Sequence, residues 1–277
     1  MTVCIAVGCD CEISGKSPKV IFVSDFLLTM GYTSAEVGLK IRGLGKRWGV
    51  MFAGKDISHA SSVIQTASNI LEKDDEITGI RAASALSEAY HTVRRKQIEN
   101  RLLLTYDMSM QQFMEKGKDA FPESHHLQLL YDIANYDLGC IFLAAGFMSD
   151  RSKYPCLFMV QNPGEFFPMD DIGYSAVGSG DVNAISHLAR RNQDVYATFE
   201  RSLYTAIAAK HLAEKAQGVG KETFVVILEP GVPKPLFLQR SQIEQVSKMW
   251  REEEEHVEPQ GLEKRMIDII GNLKGEN

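Results

Sequence analysis

Positive charge is not in excess in this chain. Thirty Lys and Arg stand against 36 Asp and Glu, a net charge of −6, and the basic residues are not gathered into one arm. Binding nucleic acid by phosphate neutralisation needs the reverse, so no nucleic-acid partner is expected. No apolar run is long enough to span a bilayer, and no basic-then-apolar leader opens the sequence. The expectation is a cytoplasmic protein without a membrane partner, with Met1 as its start. Cysteines are few and odd in number: Cys4, Cys9, Cys11, Cys140 and Cys156. The C-x-C at Cys9–Cys11 has no second pair or histidine cluster to complete four ligands, so neither metal nor cofactor is expected, and free thiols fit a reducing compartment. The seven histidines form no H-E-x-x-H, and His59 and His187 read as packing or surface residues. Neither the phosphate loop G-x-x-x-x-G-K-[ST] nor the elbow G-x-S-x-G occurs, and there is no internal repeat or low-complexity linker.

What is present is a β-rich start. Residues 2–8 alternate as a strand, and KVIFVSD (Lys19–Asp25) is nearly continuous apolar, as in a strand covered on both faces. GLKIRGLGKRWGVMFAG (Gly38–Gly54) holds two short strands around a Gly45-Lys46 turn. Helical periodicity follows over Asp56–Leu71. A very long helical stretch runs from Ile80 to about Met114, with Thr78 as its cap, and another helix spans His126–Ala134. Strands return at DLGCIFLAAGF, YPCLFMVQN and AVG. Helices then start at Asp181 and about Asp194, and TFVVILEP and PLFL close the core. This order lacks regular β-α-β alternation and favours antiparallel sheets covered by helices. The expected organisation is one domain over residues 1–241 with a helical insertion at about 96–135. A charged helical extension follows over 242–277, with an acid run at Glu252–Glu255 that reads as a solvated face and an amphipathic segment at Leu262–Leu273.

Five residues suggest chemistry. Thr2 follows the initiator methionine; once Met1 is removed it offers a hydroxyl together with a free α-amine, a nucleophile with its own base. Asp25 ends an apolar strand and Lys40 sits between apolar neighbours, so each needs a partner if buried. Gly54 closes a strand just before a helix, where a bare N–H can face an oxyanion. Ser179 lies between two glycines in AVGSGD, at another strand-to-helix turn. Taken singly, each also reads as an ordinary strand, turn or surface residue. Cys4 reads as a packing residue.

Taken in order, these residues resemble the β-type subunits of the proteasome and the simpler bacterial proteasome-like peptidases. The resemblance lies in Met-Thr before a strand, Asp25 with Gly31 six residues on, Lys40, FAG at Phe52–Gly54, and AVGSGD before a helix and FVVIL. It covers residues 2 to about 70 and 137–238, leaving out the insertion and the tail. It implies an N-terminal nucleophile hydrolase of α+β class, a four-layer αββα sandwich of two antiparallel sheets. It also implies Thr2 as nucleophile, Asp25 as strand-end acid, Lys40 as the lysine that tunes the amine, the Gly54 N–H as oxyanion donor, and Ser179 beside the terminal amine. Identical subunits in a ring or helical oligomer, and a peptide or unfolded-protein substrate, follow from the same resemblance; an unfoldase partner is left open. The chain departs from the pattern in having Phe26-Leu27 after Asp25, and Glu214 and Gln217 where relatives carry Asp and Ser. Three functions fit: a threonine peptidase, a small-amide amidase of the same fold, and a catalytically silent assembly subunit. As a chain terminus Thr2 is expected to pack little, and Leu28, Phe52, Ala60 and Arg42 are expected near a specificity pocket.

Overall fold

The computed structural model describes residues 2–12, 15–30, 33–36, 39–74, 76–149, 151–232 and 234–254, apart from the side chains of 28–30, 33–36 and 254. Gly31, the Leu28 side chain and the 262–273 segment lie outside the described residues. The chain forms two compact units, Met1–Leu238 and Gln239–Asn277. In the second, the described part is one helix, α7 (Arg240–Glu254). Among the described residues no helix is long and apolar enough to cross a membrane.

Two five-stranded antiparallel sheets build the first unit. One is ordered β10 (Tyr174–Gly178), β1 (Val3–Cys9), β2 (Lys19–Asp25), β11 (Thr223–Leu228), β12 (Leu236–Phe237). The other is ordered β5 (Ile41–Gly43), β6 (Trp48–Gly54), β7 (Cys140–Gly146), β8 (Cys156–Gln161), β9 (Glu165–Pro168). A separate hairpin pairs β3 (Leu27–Met30) with β4 (Thr33–Glu36).

Strand alternation explains the layers. Cys4 and Ala6 of β1, Val20 and Phe22 of β2, Met51 and Ala53 of β6, and Leu143 and Ala145 of β7 meet in one core between the sheets. The other faces take helices. Val50, Phe52, Phe142, Ala144 and Val160 pack under α1 (Ala60–Leu71) and α2 (Gly79–Ile98). On the far side α5 (Asp181–Arg190) and α6 (Phe199–Ala213) cover β1, β2 and β10. The buried side of α6 is mostly small, with Ser202, Thr205, Ala206, Ala208, Ala209 and Ala213, so the helix lies close on the sheet. The result is an α+β molecule of helices, sheet, sheet, helices, with β2 covered on both faces, as its near-continuous apolar sequence requires, and β1, alternating in sequence, buried along its whole length as well.

The long helix expected from Ile80 to Met114 is instead broken. It passes from α2 through a π-helical turn (Glu99–Leu103) and a 3-10 turn (Leu104–Tyr106) to Asp107, which takes a left-handed conformation with φ 52°. A new helix, α3 (Met110–Ala120), then starts at a capping box of Ser109 and Gln112. The polar cap outcompetes continued helix because Leu103, Phe113 and Leu129 bury one another in a small satellite core with α4 (Glu123–Ala134). Both β9 and the β3–β4 hairpin were absent from the sequence reading. They are short and lack a clean apolar alternation.

Candidate active site

Asp25, Lys40 and Thr2 converge at one end of the first sheet. Pairing of β1 with β2 sets Cys4 opposite Ser24, which brings the start of one strand beside the end of the other. Asp25 is fully buried, and Lys40 and Thr2 are 1% and 3% exposed. Lys40 Nζ donates to Asp25 Oδ1 at 2.7 Å. Lys40 Nζ also donates to Thr2 Oγ1, and Thr2 Oγ1 donates to Asp25 Oδ1. The Val3 N–H adds a bond to Oδ1 at 3.0 Å. The second oxygen, Oδ2, accepts from the Leu27 N–H at 3.2 Å and the Gly220 N–H at 3.0 Å. A buried carboxylate whose two oxygens take five hydrogen bonds, one of them from the Lys40 Nζ, is held in one orientation. The excuse that both polar residues needed is thus each other, together with the Thr2 hydroxyl.

Ser179, in the turn after β10, bonds the backbone of Thr2. Its Oγ lies 3.2 Å from Thr2 N and 3.3 Å from Thr2 O, accepting from the first and donating to the second. Gly180 N donates to Thr2 O at 3.4 Å. Gly178 adopts φ +116°, and a Cβ there would stand 2.2 Å from Thr2 O. Only glycine lets β10 approach this closely and then turn into α5.

Four of the five residues singled out from the sequence therefore meet: Thr2, Asp25, Lys40 and Ser179. Among the described residues no hydrogen bond joins Gly54 to them. Gly54 ends β6 with φ +157°, and a Cβ would lie 2.0 Å from Gly139 O, so close strand packing is itself a reason for glycine here. Two expectations change. Thr2 is buried rather than loosely packed, because the Asp25 and Lys40 bonds draw it in. Phe52 and Ala60, at 6% and 0% exposure, lie in the core between the second sheet and α1 and offer no open pocket, because strand alternation points Phe52 away from the inter-sheet space. Arg42 is exposed on β5. Glu214 does not join the Thr2 cluster: it accepts from Lys210 Nζ at 2.6 Å and His211 Nδ1 at 2.7 Å. Gln217 is exposed.

Cys4 lies next to the site but is no alternative nucleophile. Burial pushes its thiol up to about 12, against a smaller lowering by Lys40, and its Sγ donates to Phe52 O at 3.5 Å. A reactive cysteine needs the opposite, a stabilised thiolate. Glu214 is moved the other way. Its burial favours the neutral acid, but the bonds from His211 and Lys210 outweigh that and hold the carboxyl below its ordinary range. The Gly220 N–H on Asp25 was not foreseen. A backbone donor leaves no trace in residue identity beyond a glycine in a turn.

No protein-family model matches the chain, and no curated protein is similar to it in sequence. Solved structures are similar in fold. One is an Anbu (Gly-1) mutant from Hyphomicrobium sp. strain MC1, at 14% identity and a TM-score of 0.61, over 94% of this chain and 99% of that one. Another is Anbu, described as an ancestral β-subunit, from Yersinia bercovieri. It is also 14% identical with a TM-score of 0.61, over 91% of this chain and 94% of that one. At such identity the likeness speaks for architecture alone: this chain has the two-sheet, helix-covered fold of the Anbu proteins, with Thr2, Asp25, Lys40 and Ser179 bonded together at the start of its first strand.

Proposed function

We propose that the protein is an N-terminal-nucleophile hydrolase of the threonine type, acting on peptide amides within a proteasome-like oligomer. One observation carries this reading: the hydroxyl of the second residue is bonded to both members of a buried Lys40–Asp25 pair. Such a pair is costly to bury for stability alone.

Removal of Met1 turns Thr2 N from an amide into an α-amine beside Ser179 Oγ. That amine has an ordinary pKa near 8, and the nearby Lys40 ammonium lowers it, so more of it is neutral at pH 7. Thr2 Oγ1 attacks the carbonyl carbon of the amide while its proton passes to the amine, directly or through a water. The Gly54 N–H is assigned to the developing oxyanion, an interaction whose loss typically costs about 3 kcal/mol. The C–N bond then breaks, the amine returns the proton to the leaving nitrogen, and water hydrolyses the Thr2 ester to a carboxylic acid and the free hydroxyl.

Assembly into identical-subunit oligomers rests on the fold shared with a protein described as a β-subunit, and on exposed Met114, Leu127 and Tyr131 in the insertion, 68, 57 and 64% exposed. A silent assembly subunit is the second reading, favoured by Glu214 facing Lys210 and His211 rather than the Thr2 amine. Hydrolysis of a fluorogenic peptide panel separates the two. Activity retained in Thr2→Ser and lost in Thr2→Ala supports the hydrolase. A chain that begins at Thr2 by intact mass and hydrolyses nothing supports the silent subunit.

A further inference from the structure

A second lysine is buried near the end of α6, 13 residues before β11. Lys210 on α6 is fully buried. Its Nζ donates to Glu214 Oε1 at 2.6 Å and to the Lys221 carbonyl at 2.6 Å. These bonds tie the last turn of α6 to Lys221, two residues before β11, and so close the connection over residues 214–221 from both ends. Two residues of that connection touch the candidate site. Val219 packs under Gly180: a Cβ on Gly180 would stand 3.0 Å from Val219 Cγ2 and 2.8 Å from Ala213 Cβ. Gly220 N–H bonds Asp25 Oδ2 at 3.0 Å.

We infer that Lys210 is a positioning residue for Asp25, acting through the Gly220 N–H. The inference rests on the hydrolase reading above for its catalytic consequence, but its structural half stands on the bonds alone. The Lys221 carbonyl lies two peptide planes beyond the Gly220 N–H; holding it against the last turn of α6 shortens the free span of the connection and so restricts the directions that the Gly220 N–H can take. Among the described residues, Asp25 Oδ2 accepts from two protein donors, the Leu27 and Gly220 N–H groups. Losing one lets the carboxylate rotate, and Oδ1 then leaves the position from which it holds both Lys40 and Thr2. An apolar side chain at 210 would fill the same space and avoid burying a charge, but it could not reach two acceptors at once. The ammonium therefore sets the conformation of this turn rather than supplying bulk stability.

The test compares wild type, Lys210→Met and Glu214→Gln by amide hydrogen exchange of the 214–222 segment. It adds the rate at which Thr2 is modified by an N-terminal-threonine-directed electrophile at saturating concentration. In Lys210→Met the segment is expected to exchange at least about tenfold faster while β1, β2 and β6 keep wild-type protection. The saturating modification rate should fall by about tenfold or more with the half-saturating concentration unchanged. Glu214→Gln keeps the Lys221 bond and should give a smaller change in the same direction; it also serves if Lys210→Met does not fold. Unchanged exchange over 214–222, or faster exchange with an unchanged modification rate, would overturn the inference. An unmodified wild type contradicts the hydrolase reading, and the exchange data then decide by themselves whether Lys210 holds Gly220 on Asp25.

Discussion

Lys40 and Asp25 are each meaningful only with the other. Lys40→Met leaves a buried carboxylate facing three remaining backbone donors and the Thr2 hydroxyl but no cation. The expected loss is about 3–5 kcal/mol, read as a lower midpoint in urea, with hydrolysis abolished. Thr2→Ala removes only a neutral hydroxyl and should cost about 1–3 kcal/mol, so the chain folds but does not turn over. An unchanged midpoint in Lys40→Met would contradict the buried geometry. At this scale the sequence was informative where physics makes a residue conspicuous. A charge among apolar neighbours, as at Asp25 and Lys40, or a serine between glycines, as at Ser179, stands out by type and setting. The donors that hold Asp25 in place are the backbone N–H groups of Val3, Leu27 and Gly220, and every residue but proline has one. Which of them converge on a carboxylate depends on the fold, so they were not legible.

At the scale of elements, the turn from β10 into α5 is the most constrained piece of backbone near the site. Gly178→Ala would force a Cβ against the Thr2 carbonyl at a positive φ. The change should lower stability by several kcal/mol, about the cost of a strained backbone plus a displaced strand end, and abolish activity with Thr2, Asp25 and Lys40 all present. The insertion behaves oppositely. Phe113→Ala empties the small core shared with Leu103 and Leu129 and should cost that region about 3–5 kcal/mol. Hydrogen exchange should then rise over residues 104–134 and stay unchanged in β1 and β2, with hydrolysis retained; a loss of protection in the sheets would show the insertion to be integral to the main core. The strand Lys19–Asp25 was readable because burial on two faces demands its composition, and Trp48–Gly54 because it follows the Gly45-Lys46 turn. The break after Ile98 was not, since helical periodicity persists on both sides of it and only the Ser109 cap and the packing of Phe113 decide where the chain turns.

For the whole molecule, acidification has a defined direction. Glu214 is held below its ordinary range by His211 and Lys210 despite its burial. A carboxyl with a depressed folded pKa contributes stability above its unfolded value, near 4.3, and that contribution disappears as the pH falls through the folded value. Thermal melts should therefore lose part of their stability below about pH 4.5, and Glu214→Gln should flatten that part of the profile; an identical acid profile in the variant would remove Glu214 from the explanation. Assembly is testable by light scattering at micromolar concentration. An oligomer is expected for the native chain, with weaker association in Leu127→Glu combined with Tyr131→Glu, and a monomer in the native chain would contradict the assembly proposal. The order of strands and helices made the layered architecture legible. Oligomeric state was not, because exposed apolar residues show a surface that wants covering without showing the symmetry that covers it.

The claim on which the rest depends is that Thr2, freed of Met1, is the nucleophile. The direct measurement is to treat the purified, intact protein with an electrophile that bonds both the hydroxyl and the α-amine of an N-terminal threonine, and then to map the modified residue by mass spectrometry. One adduct per chain at Thr2 is predicted in the wild type, forming faster as pH rises through the titration of the α-amine, and absent in Lys40→Ala. A chain shown by intact mass to begin at Thr2 that takes no adduct, or takes it elsewhere, would contradict the mechanism.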